Sequence, residues 1–296
     1  MISAPVREGL LPVDKPIGPT SHDIVARARR ELGLRRIGHT GTLDPFASGL
    51  LLLLLGNATR LAQYLDHLPK EYVAVARLGV RTTTDDLEGE ELGRSEDWRA
   101  LDTQRLAEVL DSFAGESEQL PPQFSAKKVG GNRAYQLART GEEVALAPSR
   151  ITIHEIQLEK APLPEVHFRV RCSTGTYIRA LARDLGDRLG VGAHLTALRR
   201  TAIGPFRAET ALPLNALGDA SAVSAVLVPP LVAVGHLPIR ELDGVEAGRI
   251  RLGQAIPSLA DDLDEGCAVA LASEGQLVAV GVTAGELIRP RKVFQA

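Results

Sequence analysis

One stretch of this sequence concentrates the residue types that chemistry needs: Gly38-His39-Thr40-Gly41-Thr42-Leu43-Asp44-Pro45-Phe46-Ala47-Ser48-Gly49-Leu50. Glycines, a proline and small polar residues surround a single carboxylate. Glycine admits positive φ and close backbone approach. The proline holds Asp44 extended, away from helical geometry. A carboxylate fixed on such a loop can act as nucleophile or base. It can equally cap a helix that starts there. His39, set between Gly38 and Thr40, is either structural or a ring free to stack.

A second segment, Cys172-Ser173-Thr174-Gly175-Thr176-Tyr177-Ile178-Arg179, runs from a strand through a glycine turn into a helix. Arg179 then falls in the first helical turn, where the macrodipole disfavours a cation. Such a cation needs a carboxylate or phosphate partner, or it lies exposed with none. Tyr72 opens a strand after Lys70-Glu71. A strand tyrosine packs in a core or at an edge, or offers a face on which a nucleobase stacks.

Other chemistries lose ground. The sequence has no P-loop, GxGxxG, HExxH or GxSxG motif. The two cysteines, Cys172 and Cys267, exclude a disulfide scaffold, and no Cys/His cluster has zinc spacing. A reducing cytoplasm is the natural setting. The N-terminus lacks the basic start and apolar stretch of a signal peptide. Leu50–Leu55 is far shorter than the roughly 20 residues of a membrane span. The formal charge is −3, but its distribution is uneven. Residues 167–207 carry eight arginines against two aspartates, and residues 27–36 carry five arginines against Glu31. These are solvated helix faces or the walls of a polyanion groove.

The elements that must position these residues follow from pattern. Residues 9–14 and 71–78 read as strands, and 50–55 as a buried strand or the inner face of a helix. Thr20 or Ser21 caps a helix that runs to Leu32 and ends at Gly33. The acidic stretch 84–97 reads as an exposed loop. Helices are expected over 102–113, 133–140 and 177–189, and strands over 144–159 and 165–172 with a proline-rich turn between them. No regular strand–helix alternation exists, so the class is α+β. Residues 238–296 read as a small all-β module, near the lower size limit for independent folding.

The loop GHTGTLDPFASGLL strongly resembles the catalytic loop of the TruB-type tRNA pseudouridine-55 synthases. VDKPIGPTSHDIV (13–25), KEYVAVARLG (70–79), PPQFSAKKVGGNRAYQLAR (121–139) and GTYIRALARDLG with GAHLTALRR (175–186, 192–200) agree in order and spacing. LDGVEAGRIRLGQAIP (242–257) resembles the opening of the small RNA-binding module of many such enzymes. Phe46, Ser48 and Phe124 depart from the family's usual residues, at positions without a catalytic group.

The resemblance implies a catalytic domain over 1–237, built on a mixed, mainly antiparallel sheet with flanking helices and an RNA-binding insert near 115–150. A PUA-like module over 238–296 follows. It implies isomerisation of uridine 55 in the T loop of tRNA by a stand-alone enzyme that needs no cofactor and no protein partner. Asp44 matches the catalytic aspartate, and Arg179 the arginine that pairs with it. Tyr72 matches the tyrosine that stacks on the uracil and is proposed as a base. Tyr177 and Leu198 match pocket residues, His39 the histidine that contacts displaced nucleotides, and Lys15 with Pro16 a turn beside the site. Rival readings are a synthase acting on another RNA, a tRNA-folding factor and a lone-aspartate nucleoside hydrolase.

Overall fold

The leucine run is a strand, and its two faces explain why. In the computed structural model, which describes residues 8–123, 128–129, 132–133, 146–258 and 263–294, Ser48–Leu55 forms strand β3. Leu50, Leu52 and Leu54 enter one core cluster, while Leu51, Leu53 and Leu55 enter another on the opposite face. An unbroken apolar run is what a strand buried on both sides requires. β3 pairs antiparallel with β1 (Gly9–Lys15) and with β2 (Ile37–Thr40).

The main sheet runs in the order Leu212–Pro213, β1, β3, Ala193–Ile203, β4 (Lys70–Leu78), Glu165–Cys172, Ser149–Lys160, Gly115–Gln119. Its pairings are antiparallel except at β1 with Leu212–Pro213 and at β3 with Ala193–Ile203. The architecture is thus α+β with a mixed, mainly antiparallel sheet. Helix α1 (Ser21–Leu32) starts with a reciprocal capping box between Thr20 and Asp23 and stops at Gly33 with φ +64°. Thr20 therefore holds the cap and Ser21 is released for another task. Helices Thr103–Asp111 and Ile178–Arg188 cover the face that holds Tyr72, Ala74 and Leu198.

A separate five-stranded sheet occupies Ile239–Val293, with a helix over Gly244–Arg251. It is not detached. Leu277, Val280 and Phe294 share a core cluster with Leu10, Leu50 and Leu52. Arg60 bonds the Val293 carbonyl and lies 5.7 Å over the Phe294 ring. The proline-rich turn joins the two strands at 162–164 as expected. The stretch 84–97 departs from expectation. Glu91–Arg94 pairs with Val80–Thr82 as a hairpin, and Asp86 is only 3% exposed. The helix expected over 133–140, Phe124 and most of the insert lie outside the described residues. Among the described residues no helix is long and apolar enough to cross a membrane.

Candidate active site

Asp44 follows β2 on a loop whose backbone is gripped from three sides. Ser21 Oγ donates to the Leu43 carbonyl at 3.2 Å and accepts from its N–H at 3.0 Å. Lys15, at the end of β1, donates to the carbonyls of Pro16 at 3.0 Å, Pro45 at 3.4 Å and Ala47 at 2.6 Å. Arg200 donates to the carbonyls of Leu50 and Gly41, both at 2.8 Å, and of Thr42 at 3.5 Å. The Gly18 N–H reaches the Pro45 carbonyl at 2.9 Å. No helix follows Asp44: its carbonyl closes a turn with the Ala47 N–H. The helix-cap alternative is thereby excluded, and the carboxylate is free for another partner.

That partner is Arg179. Its Nε lies 3.0 Å from Asp44 Oδ2 and its Nη2 3.4 Å from Oδ1. Nη1 reaches Asp86 Oδ2 and the Thr84 carbonyl, each at 3.2 Å. Arg179 is buried in the first turn of its helix, after the N-cap Tyr177. Two carboxylates offset both its burial and the unfavourable macrodipole. Gln119 anchors the same turn. Its Oε1 accepts from the Tyr177 N–H at 2.8 Å, and its Nε2 donates to the Tyr177 carbonyl at 3.1 Å. Asp86 is fixed in turn by the Thr84 hydroxyl and the Glu88 N–H.

Burial pushes the Asp44 carboxyl above its ordinary value, and Asp86 adds to the rise, while Arg179 and Lys15 pull it down. The Asp44 side chain still keeps 35% of its surface open, so a substrate can reach it. Tyr72 lies on β4 opposite Arg200, and Leu198 lies opposite Ala74 in the same pairing, which puts Tyr72, Leu198 and Arg200 on one face of the sheet. Tyr72 and Leu198 are buried in the cluster that also holds Leu43 and Phe46 of the loop. Burial raises the Tyr72 phenol and Arg200 opposes it. His39, half-buried, meets His22 edge-on at 5.5 Å. Burial, His22 and Arg200 lower its pKa and favour the neutral ring.

The expected residues divide in two. Asp44 and Arg179 are in direct contact, with Tyr72, Leu198 and Tyr177 on the elements around them. Lys15 is different: it is 0% exposed and its ammonium is committed to loop carbonyls. From the turn expected beside the site, it holds the Asp44 loop. The arginine-rich segment also departs from a free basic groove. Arg169 pairs with Glu71 and Glu159, Arg183 with Asp85 and Asp184, and Arg199 with Asp14.

Asp86, Arg200, Gln119 and Ser21 were missed as site residues. Arg200 carried a readable signal, since period-two alternation puts it on the same strand face as Leu198. Among the described residues no cluster of His, Cys, Asp and Glu is arranged to hold a metal.

Comparison with known proteins gives this fold and site a class. Residues 29–178 match the TruB family pseudouridylate synthase (N terminal domain), and residues 179–228 match the tRNA pseudouridylate synthase B C-terminal domain. The chain belongs to the TruB family of pseudouridylate synthases. Among its relatives is the tRNA pseudouridine synthase B of Geobacter sulfurreducens (strain ATCC 51573 / DSM 12127 / PCA), 44% identical over 262 residues, which span 88% of this chain and 85% of that protein. The enzyme of the same name from Arthrobacter sp. (strain FB24) is 43% identical over 97% of this chain and 96% of its own length. A solved structure described as a Cbf5-Nop10-Gar1 complex aligns with a TM-score of 0.77 at 30% identity, over 97% of this chain and 85% of the other. Another, an H/ACA RNP bound to a substrate RNA containing 2′-deoxyuridine, aligns with a TM-score of 0.76 at 29% identity over the same shares.

Proposed function

We propose that this chain converts uridine 55 in the T loop of tRNA to pseudouridine, in the cytoplasm and without an obligatory protein partner. The observation that carries the reading is the Arg179–Asp44 pair on a loop clamped through its backbone, with the carboxylate still open to solvent. The kinship with enzymes named tRNA pseudouridine synthase B supports the substrate. The reaction breaks the N1–C1′ bond, turns the uracil and joins C5 to C1′. The N1–C1′ bonding pair leaves with the uracil, C5 supplies the pair for the new bond to C1′, and the proton that C5 loses is matched by one that N1 takes up from water, so the net change is an isomerisation. Asp44 acts as a carboxylate at the ribose, either by attack on C1′ or by taking the 2′ proton. Arg179 keeps it ionised and aimed through charge-assisted hydrogen bonds.

Extruding a stacked base costs a few kcal/mol. Stacking on Tyr72 returns about 1–3 kcal/mol of this. Tyr72 also serves as the base at C5, Leu198 and Tyr177 line the base pocket, and His39 meets the displaced nucleotides. Residues 1–237 form the catalytic part, and the sheet within 238–296 is a PUA-like module that adds RNA contact.

The test uses an unmodified tRNA transcript tritiated at uracil C5. One equivalent of tritium should be released to water. Release should vanish in Asp44→Asn with RNA binding retained, and vanish when the T-loop uridine is changed. Bound RNA without release by the unaltered protein would favour a tRNA-folding factor instead.

A further inference from the structure

The helix Ile178–Arg188 breaks two local rules in its first turn. Its N-cap is Tyr177, which makes no side-chain cap bond, where Ser, Thr, Asp or Asn would supply one. Its third helical residue is Ala180, where a glutamate or glutamine would bond back to the N-cap N–H. Between them stands Arg179, a cation at the positive end of the helix dipole. Sequences depart from local rules at functional positions and compensate from elsewhere. Asp44 and Asp86 compensate for the arginine.

Gln119 compensates for the cap. It is buried at the end of strand Gly115–Gln119, 58 residues before Tyr177. Its Oε1 takes the Tyr177 N–H, as the glutamine of a capping box would. Its Nε2 shares the Tyr177 carbonyl with the Leu181 N–H, each at 3.1 Å, so both lone pairs of that oxygen are used. One amide thus holds both backbone groups of Tyr177, two residues before Arg179.

The strand end is held again at the next residue. Arg183, one turn along the same helix, donates to the Leu120 carbonyl at 2.9 Å and to Asp85 Oδ2 at 3.0 Å. Asp85 adjoins Asp86, the second partner of Arg179. Strand end, helix start and the loop around Asp85 and Asp86 are braced against one another. The brace matters because Asp44 is partly open and faces the substrate. An arginine that merely followed Asp44 could not aim it, so Arg179 needs an anchor outside the pair.

We propose that Gln119 is a positioning residue of the isomerisation: by clasping the Tyr177 backbone it fixes the helical turn from which Arg179 aims the Asp44 carboxylate. This rests on the reading of Asp44 as the carboxylate at the ribose. Gln119 touches no substrate; it acts through Arg179.

Single-turnover tritium release and filter binding of tRNA test it in the full chain. Gln119→Met nearly keeps the volume and removes both bonds. It should slow release about ten- to a hundredfold with little change in tRNA affinity, since small misplacements of reacting groups have effects of that order. The acid limb of kcat/KM should move to higher pH, because a loosely held Arg179 lowers the Asp44 pKa less. In an Arg179→Met background, Gln119→Met should cost less than about threefold more, because residues acting as a unit are not additive. Losses that multiply, or a slower rate with an unmoved acid limb, would make Gln119 a support of the fold alone and overturn the proposal. So would release at the wild-type rate. No release from the unaltered chain would instead fail the reading of Asp44, and the wild type alone reveals that.

Should Gln119→Met not fold, Gln119→Asn carries the same measurements. It keeps an amide in the buried site, but one methylene shorter it cannot reach both Tyr177 groups. The same losses are expected of it, and the same outcomes would overturn the proposal.

Discussion

The ammonium of Lys15 lies beneath the Asp44 loop and donates to the carbonyls of Pro45 and Ala47, on the far side of Asp44 in sequence, while the Asp44 carboxylate goes to Arg179. The two charges feel each other without being partners. Lys15 thus fixes where the carboxylate is, and Arg179 fixes how it is charged. This division makes the loop rigid while one face of Asp44 stays open.

Burial lowers Lys15 to about 8. Between about pH 8 and the ordinary lysine value of 10.5, the unfolded chain binds more protons than the folded one, so stability rises with pH through that window. Lys15→Met removes the titration and the bonds together. At pH 7 it should cost about 2–3 kcal/mol, the order of hydrogen bonds from a charged donor. The wild-type advantage should then grow above pH 8, by at most about 1.4 kcal/mol per pH unit. Urea unfolding of both proteins at pH 7.5, 8.5 and 9.5 measures it; a constant difference would mean that Lys15 keeps its proton throughout.

Asp44 must be ionised for either route at the ribose. Its folded pKa is raised, so activity should be lost on acidification through a value above the ordinary 3.8. Arg179 lowers that pKa and Asp86 raises it. Arg179→Met should therefore move the acid limb of kcat/KM to higher pH, and Asp86→Asn should move it lower. At neutral pH Arg179→Met should also slow turnover about a hundredfold or more. An Asp86→Asn limb displaced upward would show that loss of the Arg179 anchor outweighs loss of the like charge.

Much of the scaffold was legible because its signals are local. Thr20, Asp23 and Gly33 delimit α1 through capping chemistry that needs no tertiary information. The run Leu50–Leu55 left strand and helix open, since a segment buried on every side shows no periodicity to decide between them. The site was legible only in part. The first-turn position of Arg179 demanded an anionic partner, but nothing in the spacing identified Asp44, 135 residues earlier, as that partner. The resemblance supplied the link. Asp86 was hidden by its neighbours, because Asp85, Glu88 and Glu90 gave the segment the look of a solvated loop. What Lys15 does in the turn beside the site was not legible, because a cation satisfied by backbone carbonyls has no sequence signature; Arg200 was different, since the strand alternation that puts it on the face of Leu198 could have been read.

Gly49 is required on two counts. Its φ is +103°, and a Cβ there would lie 2.2 Å from the Arg200 carbonyl oxygen. Gly175, before the Arg179 helix, has φ +82° but nothing within 4 Å of such a Cβ. Gly175→Ala should therefore lose only about 1–2 kcal/mol of backbone strain. Gly49→Ala should lose about 3 kcal/mol or more, since backbone must move as well. Thermal unfolding of the two variants side by side makes the comparison; equal losses would show that the sheet yields at Gly49.

RNA binding should depend on salt less steeply than the eight arginines of residues 167–207 suggest. Arg169 lies between Glu71 at 2.9 Å and Glu159 at 3.0 Å, and Arg199 is bidentate on Asp14. If such an arginine turned to a phosphate, it would leave its carboxylate facing the same RNA within a Debye length of about 8 Å. The gain and the repulsion would largely cancel, and few counterions would be released. Arg199→Gln and Arg169→Gln should therefore leave the slope of log Kd against log salt unchanged, where an arginine bound to a phosphate would reduce it by about one. Filter binding of tRNA from 50 to 300 mM salt, about a sixfold range over which such slopes separate, decides the matter. A reduced slope in either variant would mean that RNA draws these arginines away from their carboxylates.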